Sequence, residues 1–197
     1  MSRSKHDILN RLSVTDNQLI IAGRPAALAA ETAGGTPCYV YDRQQLTERV
    51  QKLRQQLPSK INIHYAIKAN PMPAVVDHMA TLVSGLDVAS HQEMLVALSS
   101  GMRPENISFA GPAKSEQEIR AAIAAGITLN VESEREYQRA ITQGDALGIK
   151  PNIAFRVNPD FELKTSGMKM AGGPKQFGID AEQLPKILKD FDTSKAV

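Results

Sequence analysis

The sequence predicts an α/β fold, a partial (β/α)8 barrel of the TIM type, on three observations. From residue 60 onward, strand patterns and helix patterns alternate, and that alternation implies parallel strands joined by right-handed helical crossovers. The strand patterns begin about 21 to 25 residues apart, slightly tighter than the roughly 30 residues per unit of an average eightfold barrel. Each strand also carries one apolar face and one small or polar face. A doubly wound open sheet, covered by helices on both sides, would be apolar on both. The interior of a barrel near its active end is small and polar.

The first strand is predicted over 61–68. Ile61, Ile63, Tyr65 and Ile67 take one face, and Asn62, His64, Ala66 and Lys68 take the other. Asn70-Pro71 stops it, and a helix follows over 73–83. The second strand and helix are expected at 86–90 and 91–100. In the third pair, 107–111 and 115–125, Ile107 and Phe109 oppose Ser108 and Ala110. In the fourth, 128–132 and 133–147, Leu129 and Val131 oppose Asn130 and Glu132. In the fifth, 152–158 and 181–190, Ile153, Phe155 and Val157 oppose Ala154, Arg156 and Asn158. Ser115 with Glu118, and Ser133 with Glu136, read as capping boxes. Gly101 and Gly126 fall just past helices, where a left-handed closing residue is wanted. Residues 160–176 read as a long loop, and such loops in compact domains are usually functional or mobile. Its Gly172-Gly173-Pro174-Lys175 lacks P-loop spacing; the loop reads as an active-site lid with Phe177-Gly178 anchoring its end.

Residues 1–42 do not share the alternation. A short strand is predicted over 18–22, a short helix over 25–33 and another strand over 38–41. An amphipathic helix over 43–56 leads into the repeat. The expected organisation is an amino-terminal arm, 1–42, and an incomplete barrel, 43–197. Five strands do not close an eight-stranded barrel, and Val197 falls where a sixth would begin. The expectation is therefore the amino-terminal half of a longer protein.

Composition removes several function classes. The 197 residues have room for one domain with a real core. Net charge is +2, from 23 basic and 21 acidic residues, too balanced to argue for nucleic acid even at a pI of 8.7. No apolar run approaches the roughly 20 residues of a membrane span, and the first residues lack the apolar stretch of a signal peptide. Cys38 is the single cysteine, so no internal disulfide can form and a cytoplasmic location is expected. No cysteine–histidine grouping suggests a metal.

Six motifs stand in order: Tyr65-Ala66-Ile67-Lys68-Ala69-Asn70; Gly85-Leu86-Asp87-Val88-Ala89-Ser90 with Glu93; Phe109-Ala110-Gly111-Pro112-Ala113-Lys114; Val131-Glu132-Ser133; Arg156-Val157-Asn158-Pro159; and Lys175-Gln176-Phe177-Gly178-Ile179. This series resembles the fold-type III pyridoxal-phosphate decarboxylases, the diaminopimelate and ornithine decarboxylase family. Gly34-Gly35-Thr36-Pro37-Cys38-Tyr39-Val40-Tyr41-Asp42 resembles the segment with which that family leads into its barrel. The resemblance covers nearly all of 18–190. It implies an alanine racemase-like barrel and a β-rich second domain, mostly absent from this chain, that takes up the amino-terminal arm. It also implies that the residues binding the cofactor phosphate, and those a partner subunit supplies, lie outside this sequence.

The resemblance implies pyridoxal 5'-phosphate as cofactor and Lys68 as its Schiff-base lysine. An amine that attacks an aldehyde must be neutral part of the time, and Lys68 is expected to be partly buried, which favours the neutral form; the bland alternative is a strand-end lysine in solvent. Asp87 is expected close to the cofactor and the lysine, where a carboxylate steers protonation; otherwise it is a turn aspartate. Glu93 is matched by the family, and is equally a first-turn glutamate favoured by the helix dipole. Arg156 is expected near the cofactor ring, or satisfied by Glu132, or both. Ala66, small and inward, suits a flat ring and suits barrel packing as well. His64 is expected deeper, hydrogen-bonded internally. The implied reaction is diaminopimelate decarboxylase-like: decarboxylation of a small amino acid, free or carrier-tethered, by a protein that is a homodimer at full length. The loop Thr165-Ser166-Gly167-Met168-Lys169-Met170 resembles members that act in secondary metabolism more than those that act on diaminopimelate. A non-catalytic pyridoxal-phosphate homeostasis barrel and an inactive fragment are the competing expectations.

Overall fold

The computed structural model describes residues 12–159, 177–189 and 194–197. The chain divides into two compact units, Met1–Ser59 and Lys60–Val197.

The first unit holds an antiparallel meander of β1 (Ser13–Thr15), β2 (Gln18–Ile21) and β3 (Arg24–Pro25). Both of its turns have two residues with positive φ, Asp16-Asn17 and Ala22-Gly23. That handedness matches the strand twist. Only the middle strand was expected; a three-residue and a two-residue strand are too short to register as alternation. Helix α1 (Ala26–Thr32) starts one residue later than expected, because Pro25 is paired to Ile20. Helix α2 (Arg43–Gln56) is capped by Asp42, whose Oδ1 accepts the Gln44 N–H at 2.8 Å. The strand expected over 38–41 is not formed. Alternation marks a segment that can pair, but a strand needs a neighbour. Tyr39 is 92% exposed and finds none among the described residues.

The second unit is built on five parallel strands in sequential order: β4 (His64–Ala66), β5 (Gly85–Val88), β6 (Ile107–Phe109), β7 (Thr128–Val131) and β8 (Asn152–Phe155). Between them run α3 (Pro73–Ala80), α4 (His91–Ser99), α5 (Glu116–Ala125) and α6 (Glu134–Leu147). The predicted alternation thus appears element by element. The apolar strand face is the one the helices cover: Leu86, Val88, Ile107, Phe109, Leu129 and Val131 are essentially inaccessible. Burying each such side chain is worth about 1.5–3 kcal/mol. Their alternates, Asp87, Ser108 and Asn130, are only partly covered.

Two departures concern strand ends. Instead of continuing to Lys68, β4 closes at Ala66 and the chain turns into a 3-10 helix, Ile67–Ala69. Ile67, fully buried, pins that turn to the core. Asn70, extended before Pro71, ends it. Beyond β8 the chain forms β9 (Val157–Asn158), which pairs in parallel with β10 (Ile179–Asp180) ahead of α7 (Leu184–Lys189). Val197 is bonded to the edge of β8: its N–H donates to Pro151 O at 3.0 Å, and the Ile153 N–H donates to Val197 O at 2.8 Å. These are the two bonds that flank Asn152 in a parallel ladder.

The helix starts are tied down as the sequence suggests, with one exception. Ser115 and Glu118 form the full capping box, and Gly126 closes α5 in the left-handed conformation at φ +74°. Glu118 also accepts the His91 N–H at 3.3 Å, joining the first turns of α4 and α5. The Ser115 N–H, chiefly, holds the Glu118 carboxyl below the usual carboxylate range. Its stabilisation is therefore complete above the unfolded-state value, about 4.3, and is lost as pH falls through the lower folded-state value. Ser115→Ala is expected to cost about 1 kcal/mol at neutral pH. Glu118→Gln should remove part of the stability lost on acidification. Urea denaturation at pH 7 and near the carboxylate range measures both. At α6 the box is only half formed. Ser133 Oγ accepts the Glu136 N–H, but the Glu136 carboxylate turns to the Glu132 N–H at 2.8 Å and to Lys114 at 3.0 Å. A buried cation outcompetes the cap.

Candidate active site

The carboxyl ends of the parallel strands open on a cavity of about 450 Å³. Ala66, Lys68, Asp87 and Arg156 all line it, with Ser108, Asn130 and Phe177. The four residues expected at the cofactor are therefore together in space, while Glu93 and His64 do not line the cavity. They come from β4 and its 3-10 turn, from β5, and from the residue joining β8 to β9.

Lys68 is exposed on that turn and not partly buried as expected, because the 3-10 turn sends buried Ile67 to the core and the next residue outward. The turn is held from both sides. Tyr65 Oη donates to Asn70 O at 3.2 Å, and Asn70 Oδ1 accepts the Met72 N–H at 3.0 Å. Lys68 Nζ has no hydrogen-bond partner among the described residues, and it lines the cavity. Ala66 sits in register with Asp87 on the neighbouring strand, and its methyl leaves the cavity wall flat.

Asp87 accepts two hydrogen bonds on one oxygen, Oδ1: from Ser108 Oγ at 2.7 Å and from His64 Nδ1 at 3.1 Å. Asn130 Nδ2 donates to Ser108 Oγ at 3.0 Å. One polar chain thus crosses four adjacent strands beneath the cavity. His64 is bonded within the sheet, as expected, but is half-exposed and not deep. Glu93 does not face the cavity network: its carboxylate accepts the Ala89 N–H at 2.7 Å, and its own N–H donates to Ser90. These bonds fit the first-turn reading of Glu93.

Arg156 meets Glu132, with Nη1 3.3 Å from both carboxylate oxygens. Its guanidinium lies 4.9 Å from the centre of the Phe177 ring, a cation–π distance. Glu132 is 7% exposed and also accepts the Gly111 N–H at 2.7 Å and the Gly178 N–H at 3.1 Å. It therefore gathers two loop ends and one guanidinium at the cavity rim. Gly178 is at φ +81°, and a Cβ there would stand 3.0 Å from Arg156 O, which is why the Phe177-Gly178 anchor requires glycine. The loop 160–176, expected as a lid, lies outside the described residues.

Sequence reasoning did not assign Ser108, Asn130 or Lys114. The first two were legible as polar members of the inward face on adjacent strands, and the structure puts Ser108 in register with Asp87. Lys114 was not, since nothing in its local sequence shows that it is 3% exposed. Among the described residues no histidine, cysteine, aspartate and glutamate side chains group as a metal site, and no helix is long and apolar enough to cross a membrane.

A family profile described as pyridoxal-dependent decarboxylase, pyridoxal binding domain, matches residues 43–197. The chain belongs to this family. Its cofactor is pyridoxal phosphate, in keeping with an exposed lysine, a carboxylate and a guanidinium around one cavity. The diaminopimelate decarboxylase of Aquifex aeolicus is 37% identical over 177 residues, which is 89% of this chain and 42% of that protein. The 2-[(L-alanin-3-ylcarbamoyl)methyl]-2-hydroxybutanedioate decarboxylase of Staphylococcus aureus is 33% identical over 153 residues, 77% of this chain and 38% of that protein. The crystal structure of diaminopimelate decarboxylase from M. jannaschii in complex with L-lysine superimposes with a TM-score of 0.77 at 29% identity, covering 92% of this chain and 44% of that one. The neighbours' barrel fold is thus this chain's fold, and the chain spans about two fifths of the length of the relatives it matches.

Proposed function

We propose that this chain carries the lysine-bearing half of a pyridoxal-phosphate-dependent amino-acid decarboxylase, with Lys68 holding the cofactor through a Schiff base. The observation that carries the reading is the placement of Lys68: exposed, unpartnered among the described residues, and on a cavity it shares with Asp87 and Arg156. When bound, pyridoxal phosphate supplies the electron sink for the electrons left as the carboxyl group departs.

The chain's own residues supply attachment and orientation. Lys68 is the nucleophile that anchors the cofactor aldehyde. Ala66 gives a flat wall against which an aromatic ring can lie. The Asp87 carboxylate favours positive charge on nitrogen nearby and so keeps a proton there. Arg156, fixed by Glu132 and Phe177, contributes a cation that cannot be deprotonated. The domain organisation we propose is an arm over 1–42 and the barrel portion over 43–197. Diaminopimelate is one candidate substrate; the Staphylococcus aureus relative, named for a different amino acid, supports screening beyond it. The candidates are a small amino acid, free or carrier-bound, and the full-length protein is proposed to be a homodimer.

Borohydride reduction of the cofactor-loaded full-length protein, followed by peptide mass mapping, tests the reading. The expected result is a pyridoxyl adduct on Lys68. An adduct on another lysine, or none, rejects it. A product screen over diaminopimelate, lysine, ornithine, arginine and carrier-bound glutamate then assigns the substrate.

A further inference from the structure

Asp87 is held from one side only. Ser108 Oγ and His64 Nδ1 both approach Oδ1, at 2.7 and 3.1 Å, and Oδ2 has no partner among the described residues. The Ser108 proton is directed. Asn130 Nδ2 already donates to Ser108 Oγ at 3.0 Å, so the hydroxyl's own hydrogen is the one given to Asp87.

His64 reaches this oxygen through a gap in the neighbouring strand. It is in register with Gly85 on β5, two residues before Asp87. A Cβ on Gly85 would stand 2.5 Å from His64 Cε1 and 2.7 Å from Nε2. The imidazole therefore occupies the space that any other residue at 85 would fill. With an ionised carboxylate as acceptor, Nδ1 must carry the proton, so the neutral ring is the Nδ1–H tautomer.

We propose that His64 and Ser108 are positioning residues that clamp Oδ1 of Asp87 and so commit Oδ2 to the cavity that Lys68 lines. What Asp87 does there rests on the decarboxylase reading above; how it is held does not. A half-exposed histidine–aspartate pair adds little stability by itself. Two donors on one oxygen, one aimed by Asn130 and one admitted by Gly85, fix an orientation instead. The oxygen left over is the one able to face a substrate or cofactor nitrogen.

Two measurements on the full-length protein test the clamp. Nitrogen-15 NMR of the histidine side chains needs no cofactor. Neutral His64 should be the Nδ1–H tautomer in the wild type and should lose that preference in Asp87→Ala. A wild-type Nε2–H tautomer overturns the proposal whatever the protein catalyses. In steady-state kinetics, His64→Leu should lower kcat by on the order of tenfold, the value of one hydrogen bond to a charged group, with KM little changed. His64→Asn, whose amide nitrogen stands near the place of Nδ1, should recover most of that loss. Ser108→Ala should behave as His64→Leu does, and neither should matter once Asp87 is Ala. Equal losses in His64→Leu and His64→Asn would show a packing role and overturn the clamp. A wild type that carries no cofactor on Lys68 rejects the decarboxylase reading and leaves the tautomer measurement to decide the clamp.

Discussion

Lys68→Ala is expected to abolish covalent cofactor attachment in the full-length protein, and with it the visible absorbance band of the lysine linkage. Decarboxylation should fall by at least on the order of 10³-fold. The substrate amine would then meet a free aldehyde rather than a carbon already activated by a protein nitrogen. Stability should hardly change, since Lys68 is exposed and makes no hydrogen bond among the described residues, and exposed substitutions stay within about 0.5 kcal/mol. Equal thermal unfolding of the two proteins freed of cofactor, so that bound cofactor does not stabilise only one of them, beside the lost band, separates a chemical role from a structural one. A mutant that keeps both band and turnover would remove Lys68 from the mechanism. Lys68→Arg adds a control. It keeps the positive charge but supplies no amine that can be deprotonated, so it should fail as Lys68→Ala does.

The barrel was legible because its signal is redundant. Strand alternation, helix spacing and caps each pointed to the same order, and the apolar alternates Leu86, Ile107 and Leu129 are buried where that pattern puts them. What the pattern could not carry is where a strand stops pairing. Lys68 continues the alternation of 61–67, yet it sits on a 3-10 turn, because the burial of Ile67 and the restraint of Asn70-Pro71 decide the backbone there. The segment 38–41 failed for the opposite reason: its pattern is sound, but a strand is a relation between two segments. In the site, the cavity residues were legible one at a time. Their network was not, because the hydrogen bond from His64 to Asp87 depends on register between strands and on an absent side chain at Gly85.

Lys114 shows the same limit with a larger energetic consequence. Lys68 and Lys114 both stand beyond the ends of parallel strands, and the local strand pattern does not show that the first is exposed and the second buried. Lys114 is 3% exposed and spends all three ammonium protons: on Gly111 O at 2.9 Å, Asn130 O at 2.7 Å and Glu136 Oε1 at 3.0 Å. Its ammonium also lies 5.7 Å from the centre of the Phe109 ring. Lys114→Met keeps much of the stem's packing but strands a buried carboxylate and two carbonyls. Breaking one side of such a pair costs about 3–5 kcal/mol, a large share of the roughly 5–15 kcal/mol that holds a domain folded. Adding Glu136→Gln should recover part of the loss. The amide has no charge to strand, and its oxygen can still accept the Glu132 N–H now bonded to Glu136 Oε2 at 2.8 Å. Urea denaturation of the two single variants and the double variant measures the coupling. A Lys114→Met cost under about 1 kcal/mol would place the ammonium in water. Function should follow stability through Glu132, because Lys114 binds the carbonyl of Gly111 while Glu132 binds its N–H at 2.7 Å. Losing the strut loosens the residue that positions Arg156 at the cavity rim. The double variant should therefore regain cofactor affinity in proportion to the stability it regains.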